Sequence, residues 1–344
     1  MIVSINVLAL PFNGGTPITD IEYRVNQGDP ISLGANSSGS YEIDADFFDE
    51  VQIRAVNEVG TGPFSDVKIV YNYDPDALSY INAVETADGE ELEVGVKVTI
   101  NNFVSGCKAD GIWDAIKASC ILAGARTLNG ALVPLAGDAP TNFNFVSDDY
   151  DRVTGLKGDG STKYLNANRN NNADPQDNNH NSVFLTELGT TDAYTIISAG
   201  TGSNNGTNVI SGFQGGFSRN RSARGTTHGT AFTTGLAGVS RLSSASYTVR
   251  AAGVNETISE TSDGVLSADL TVYRRLGSPS NYSNMRAFFY SAGEAVDLAA
   301  LDARVSTLMN NITFAVNTGL NPLEYDSDTV KYINAGYEAG GTLA

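Results

Sequence analysis

At 344 residues the chain is long enough for two or three domains that each bury a core. Its 39 acidic residues outnumber 21 Lys and Arg, giving a formal charge of −18 that repels polyanions and excludes nucleic-acid binding through phosphate neutralisation. No run approaches the roughly 18 to 20 apolar residues of a membrane span, and Met1 to Leu10 lacks a basic signal-peptide flank, so neither a membrane partner nor a secretion address is expected.

Residues 1–72 alternate in short apolar runs, Ile2 to Leu10, Ile21 to Val25, Val51 to Val56 and Val67 to Tyr71, parted by Gly, Pro, Asn and Asp. This pattern predicts a small β-sandwich. Within it, GGTPITDIEYRV (14–25) and IRAVNEVGTGPFSD (53–66) resemble the third-strand and sixth-to-seventh-strand signatures of a fibronectin type III domain. The resemblance implies a turn between the last two strands, with Gly60 and Gly62 in left-handed conformations. It departs where Asp49 stands in place of the tyrosine six residues before Ala55, and no early tryptophan occurs. A short or divergent spacer without chemistry is expected.

The period changes over Asp74 to Ala125. Leu78, Ile81 and Val84, then Leu92, Val96, Ile100 and Phe103, then Ile112, Ile116, Cys120 and Ala123 recur every three or four positions, which predicts a helical connector over 73–138. Asp110 reads as a helix cap ahead of Trp113, whose aromatic side chain is expected in the core of an amphipathic helix rather than as a sugar platform. A continuous helix between Cys107 and Cys120 would hold them nearly 20 Å apart, against the limit of about 7 Å for a disulfide, so both are expected reduced.

From 139 to 316 short alternating strands return, closed by GEAVDLAALDARVSTLMNNI (293–312), in which Leu298, Leu301, Val305, Leu308 and Ile312 form one helical stripe. LKGDGSTKYLNAN (156–168) and RAFFYSAGEAVDLAALDARVSTLMN (286–310) resemble the concanavalin-like or laminin-G-like jelly rolls of bacteriophage proteins, and the stretch 73–312 is similar to a segment of tailed-phage virion proteins. The expected fold is therefore mainly β: an N-terminal Ig/fibronectin-like β-sandwich, a short helical connector and a lectin-like jelly roll with a closing helix. The resemblance implies a noncatalytic protein on the virion surface, in a tail fibre or a capsid decoration. Its implied partners are other virion proteins, further copies of itself and a host-surface polysaccharide.

Catalytic signatures are sparse. His180 and His228 lie in no HExxH or GxSxG setting, and no E-x-D-x-x-E strand presents paired carboxylates. Glu90, Glu91 and Glu93 read as a solvated helix face, and GLKGDGSTK (155–163) lacks the order of a phosphate loop. No cofactor is expected; calcium is the one ion whose oxygen chemistry suits the clusters Asp148, Asp149, Asp151 and Asp174, Asp177, although such loops are common without metal. Asn166 to Asn181 reads as a long surface loop for sugar hydroxyls, or as polar filler. FSRNRSARGTTHG (217–229) concentrates Arg219, Arg221 and Arg224, candidate ligands for an anionic glycan or acidic neighbour, or partners of the chain's own carboxylates.

YDPDALSYINA (73–83) recurs as YDSDTVKYINA (325–335), a spacing of domain size. Either the protein continues beyond this sequence, or residues 317–344 form a docking tail. A helix is expected near Asp328 to Ala335, outside the jelly-roll core, with Tyr325, Asp328, Tyr332 and Ile333 as an assembly contact. Two rival functions stay open: a self-assembling filament or lattice subunit, and a divergent polysaccharide-active enzyme.

Overall fold

Alternating burial along Ile2–Val7 (β1) and Ile18–Val25 (β2) shows strands with one face inward. They belong to a computed structural model describing residues 2–11, 15–46, 49–190, 194–200, 206–211, 216–276, 281–325, 330–331 and 333–334. The chain divides into two units, Met1–Tyr73 and Asp74–Ala344.

Among the described residues of the first unit β1 pairs only with β4 (Gly39–Asp44), while β3 (Ile31–Ser32), β2, β5 (Glu50–Asn57) and β6 (Gly60–Thr61) form a second sheet, with β7 (Lys68–Ile69) also on β5. Tyr23, Ile43, Ala45, Val51 and Val70 fill the space between. The strand expected as the third of a fibronectin-like domain is the second here, so one sheet is reduced to two strands. In the turn after β5, Asn57 Oδ1 accepts from the amides of Val59 (2.9 Å) and Gly60 (3.1 Å). Gly60 has φ 151°, but Gly62 is not left-handed; its N–H donates to Ala55 O at 2.9 Å.

The second unit opens with α1 (Pro75–Asp88), started by Asp74, whose carboxylate accepts from Asp76 N–H, and stopped by Gly89 at φ 72°. Ala77, Tyr80, Ile81 and Val84 form its buried stripe. Helix α2 (Val94–Ala109) is buried on more than one face, including Val96, Val98, Ile100, Phe103 and Val104. After a short turn of helix α3 (Leu128–Ala131), α4 (Leu298–Thr318) packs along α2 and over the sheet. A Cβ on Gly95 would lie 2.2 Å from Leu320 O, so the segment just after α4 approaches α2 at a distance only glycine permits. Asp297 caps α4, and the predicted stripe Leu298, Leu301, Val305, Leu308 and Ile312 is buried.

The strands that follow in chain order are β8 (Ile116–Ile121), β9 (Thr141–Phe143), β10 (Tyr150–Asp151), β11 (Gly155–Lys157), β12 (Tyr164–Asn170), β13 (Asn179–Glu187), β14 (Tyr194–Ala199) and β15 (Thr207–Ser211). Then come β16 (Gly216–Asn220), β17 (Thr226–His228), β18 (Gly235–Arg241), β19 (Tyr247–Ala251), β20 (Val254–Ile258), β21 (Asp269–Val272), β22 (Arg274–Arg275), β23 (Asn281–Tyr282) and β24 (Arg286–Gly293). Eight strands form one antiparallel sheet in the order β10-β11-β24-β13-β18-β19-β20, with β8 also on β24. Seven form the other, β17-β16-β15-β14-β21-β12-β9. Leu165, Val183, Leu185, Ile196, Val239, Val272 and Tyr290 share the core between the sheets. The protein is thus mainly β, a small N-terminal sandwich followed by helices and a lectin-like jelly roll with a closing helix.

Three expectations change. The third helical run is strand β8, with Ile121 opposite Phe289 and Cys120 opposite Tyr290. Strand β8 is buried at every position but Lys117, and its Ile116 and Cys120, followed by Ala123, fall at a spacing that also fits a helix. Asp110 ends α2 instead of starting a helix, and it accepts both guanidinium N–H groups of Arg304 at 2.7 and 2.8 Å. The helices of the supposed connector belong to the second unit, since α2 packs along α4 and Phe103 meets Phe289 edge-on at 5.7 Å. Cys107 in α2 and Cys120 in β8 are free and buried, and burial pushes both thiols up to about 12.

Within the second repeat, Val330, Lys331, Ile333 and Asn334 are helical, while Asp328, Tyr332 and Ala335 lie outside the described residues. Val330 is buried, Asn334 Nδ2 donates to Asn310 O at 2.8 Å, and the Tyr325 ring packs 5.2 Å from Phe314. The described tail therefore docks on its own α4. The repeats also bury different faces: Leu78 and Asn82, the counterparts of Val330 and Asn334, are exposed.

Candidate functional site

Leu165 and Ala167 of β12, with Leu270 and Val272 of β21, point into the core. Alternation therefore sends Tyr164, Asn166, Asp269 and Thr271 to the outer face of the seven-stranded sheet. Tyr273, at φ 72°, then redirects the chain, and its phenol donates to Leu156 O at 2.5 Å. The hairpin β22–β23 consequently folds back over β14. Thr271 Oγ1 donates to Arg274 O at 2.7 Å, and Thr195 Oγ1 donates to Asn281 Oδ1 at 3.0 Å, fixing the hairpin to the sheet.

This hairpin assembles an aromatic and cationic surface. Phe143 stacks on Tyr164 with centroids 4.2 Å apart and planes 5° from parallel, and Tyr282 meets Tyr164 edge-on at 6.3 Å. The Arg274 guanidinium lies 4.4 Å from the Tyr164 centroid and 5.3 Å from that of Tyr282. Such contacts hold the cation by the ring quadrupole and leave its N–H groups available. Among the described residues neither Arg274 nor Arg275 makes an ion pair, and the Nε of each is buried without a hydrogen-bond partner. In a chain of charge −18 that is an uncommon concentration of uncompensated cations.

Arg219 joins this face. Its neighbour Ser218 is in the core, 3.0 Å from the Tyr247 hydroxyl, so alternation turns Arg219 outward. Burial holds its pKa below the usual arginine value, and the charge of Arg275 acts in the same direction.

Arg221 and Arg224, predicted with Arg219, are not part of the site. Arg221 is 1% exposed; its guanidinium donates to the carbonyls of Asp174 (2.9 Å), Pro175 and Asn171, and burial pushes its pKa down to about 10. Arg224 is exposed on the following loop. The asparagine-rich stretch that Arg221 holds is not a surface loop either. Asn171, Asp174, Asn179 and Asn181 are buried, and Thr207 Oγ1 donates to Asn171 Oδ1 at 3.0 Å. Arg241 acts alike, donating to the carbonyls of Asn220, Ser243 and Glu260 at 2.8 to 3.0 Å.

Three of the five carboxylates considered for calcium have protein partners, while Asp177 Oδ1 is buried without a hydrogen-bond partner among the described residues. Asp149 pairs with Lys163 at 2.5 Å, Asp151 accepts from Val153 and Thr154 N–H, and Asp174 pairs with Arg169. Among the described residues no three His, Cys, Asp or Glu side chains are grouped to hold a metal ion. Glu93 likewise binds Arg152 at 2.8 Å and Arg126 at 3.3 Å instead of facing solvent freely. Arg274, Arg275, Tyr164 and Tyr282 were missed in the sequence; Phe143 and Tyr164 come from distant segments and meet only through sheet pairing.

No protein family profile matches the chain, and no curated protein matches it. Among solved structures, it is similar to the botulinum neurotoxin serotype D binding domain, at 11% identity over 59% of this chain and 52% of that one (TM-score 0.38). It is also similar to a Trypanosoma rangeli sialidase in complex with sialic acid, at 12% identity over 90% of this chain and 52% of that one (TM-score 0.33). The NanB sialidase from Streptococcus pneumoniae is 14% identical, over 44% of this chain and 27% of that one (TM-score 0.27). The chain spans about half the length of the first two.

Proposed function

We propose that this chain is a noncatalytic virion protein displayed on the particle surface, and that its jelly roll attaches to a host-surface polysaccharide. The observation that carries the binding reading is the Tyr164–Arg274–Tyr282 cluster on the outer face of the seven-stranded sheet. Phe143 and Arg274 cover the two faces of Tyr164, so the exposed Phe143 ring offers the aromatic face for the C–H side of a sugar ring, while guanidinium groups donate to hydroxyls and bind carboxylates or sulfates in a fork. With Arg274 and Arg275 outside any ion pair, acidic polysaccharides are the favoured class. The resemblance of residues 73–312 to tailed-phage virion proteins supports the particle location. Weak single-site contacts suit a particle that presents many copies.

Immobilised acidic and neutral polysaccharides test the binding. Tyr164→Ala and Arg274→Ala should each weaken acidic-polysaccharide binding about tenfold, a loss near 1.4 kcal/mol. Raising the salt should weaken the wild type further. Undiminished binding by both folded variants would exclude this face. Failure to detect the chain in purified particles by mass spectrometry would exclude the virion assignment.

A further inference from the structure

A second groove lies far along the chain from the arginine face, between α1, the turn Trp113–Ala115 and the segment 133–136. Its volume is about 430 Å3, and its lining includes Trp113, Pro134, Asp76, Ser79, Asp114 and Lys117. Trp113, the only tryptophan of the chain, is not the core residue its neighbours in sequence imply, but half-buried at this groove.

The indole is held in place. Its Nε1–H donates to Asp76 Oδ2 at 3.1 Å, and the same oxygen lies 2.6 Å from Lys108 Nζ, which also pairs with Asp74 at 2.7 Å. Lys108 Nζ is 5.8 Å from the indole centroid. A ring fixed by such a network loses little further freedom when a ligand stacks on it, which lowers the cost of binding.

The charge differs from that of the arginine face. Asp76 is compensated by Lys108, and Lys117 has Glu294 at 3.6 Å, whereas exposed Asp114 stands outside any ion pair among the described residues. The groove is neutral to acidic and disfavours anions. What remains is a fixed aromatic and a proline for apolar C–H faces, with the Ser79 hydroxyl and carboxylate acceptors for hydroxyl donors. Its volume falls within the range of small-molecule sites, on the order of one or two sugar rings.

From this juxtaposition we propose that the Trp113 groove is a second saccharide site, specific for neutral sugars and independent of the arginine face. A protein with both would grip two chemically different parts of a surface glycan.

The single tryptophan makes the test specific. Full-length protein is titrated with cellobiose, maltose, lactose, chitobiose and mannobiose to about 20 mM while indole emission is followed. At least one should give a saturable change. Ala83→Arg and Ser79→Arg place a long side chain on the α1 wall at exposed helix positions, and each should raise the half-saturation concentration at least about tenfold. Arg274→Ala should leave the titration unchanged, separating this site from the arginine face. No emission change with any of the five sugars, or a change that both groove variants leave intact, would overturn the proposal.

Discussion

Replacing Arg221 by alanine is expected to destabilise the second unit by about 3 to 4 kcal/mol, among the largest effects of any single substitution in this chain. The guanidinium is 1% exposed and accounts for hydrogen bonds to three backbone carbonyls of the asparagine-rich segment. Alanine would leave those acceptors buried without donors and open a cavity where the side chain lay. Lysine should restore little, because one ammonium on a flexible stem cannot reproduce the planar fork. Thermal unfolding should show a loss of roughly 6 to 12 °C, while Arg224→Ala, on an exposed residue, should change little. An Arg221→Ala melting curve that overlays the wild type would show that the carbonyls find other donors.

Acidification should weaken the fold well before its carboxylates titrate, because of His180. This side chain is 1% exposed; its Nδ1–H donates to Glu294 O at 2.5 Å, so Nε2 is the acceptor for the Ser291 hydroxyl at 2.9 Å. Burial, the dominant cause, pushes its pKa from 6.5 down to about 4. Between those values the unfolded chain binds a proton that the folded chain does not, so stability falls as pH falls from about 6.5 to about 4. The full window corresponds to about 3 kcal/mol. His228, also lowered by burial, adds in the same direction. Urea midpoints at several pH values from about 7 to 4.5 measure the slope, which His180→Gln should reduce. A wild-type midpoint constant over that range would show that the imidazole titrates normally.

Much of the architecture was legible because period and punctuation agreed. Alternation marked most long strands, and the stripe from Leu298 to Ile312 marked α4 with its inward face. Legibility failed where burial is two-sided. Strand β8 is buried at every position but Lys117, and its Ile116 and Cys120 also fit a period near four, whereas α2 was legible as a helix from Val96, Ile100 and Phe103. It failed again where polar residues pack. Sixteen residues rich in asparagine read as solvent-facing, yet Arg221 and Arg169 supply the donors that let Asn171 and Asp174 go inside. The site shows the same limit: Arg219 was found from local charge, but Arg274, Arg275, Tyr164 and Tyr282 converge through a hairpin folded over a sheet, a relation with no local signature.

Strand β24 lies between β13 on one side and β11 and β8 on the other, yet it follows all the other described strands of its sheet in the chain. Synthesis therefore delivers β8, β11 and β13 long before the strand that joins them. On a ribosome adding roughly 5 to 20 residues per second, the jelly roll cannot close for several seconds after β13 emerges, since its central rung is still missing. Until then those strand edges are open to wrong partners. The sequence spacing from Ile121 to Phe289 thus makes the eight-stranded sheet a slow, late-closing structure.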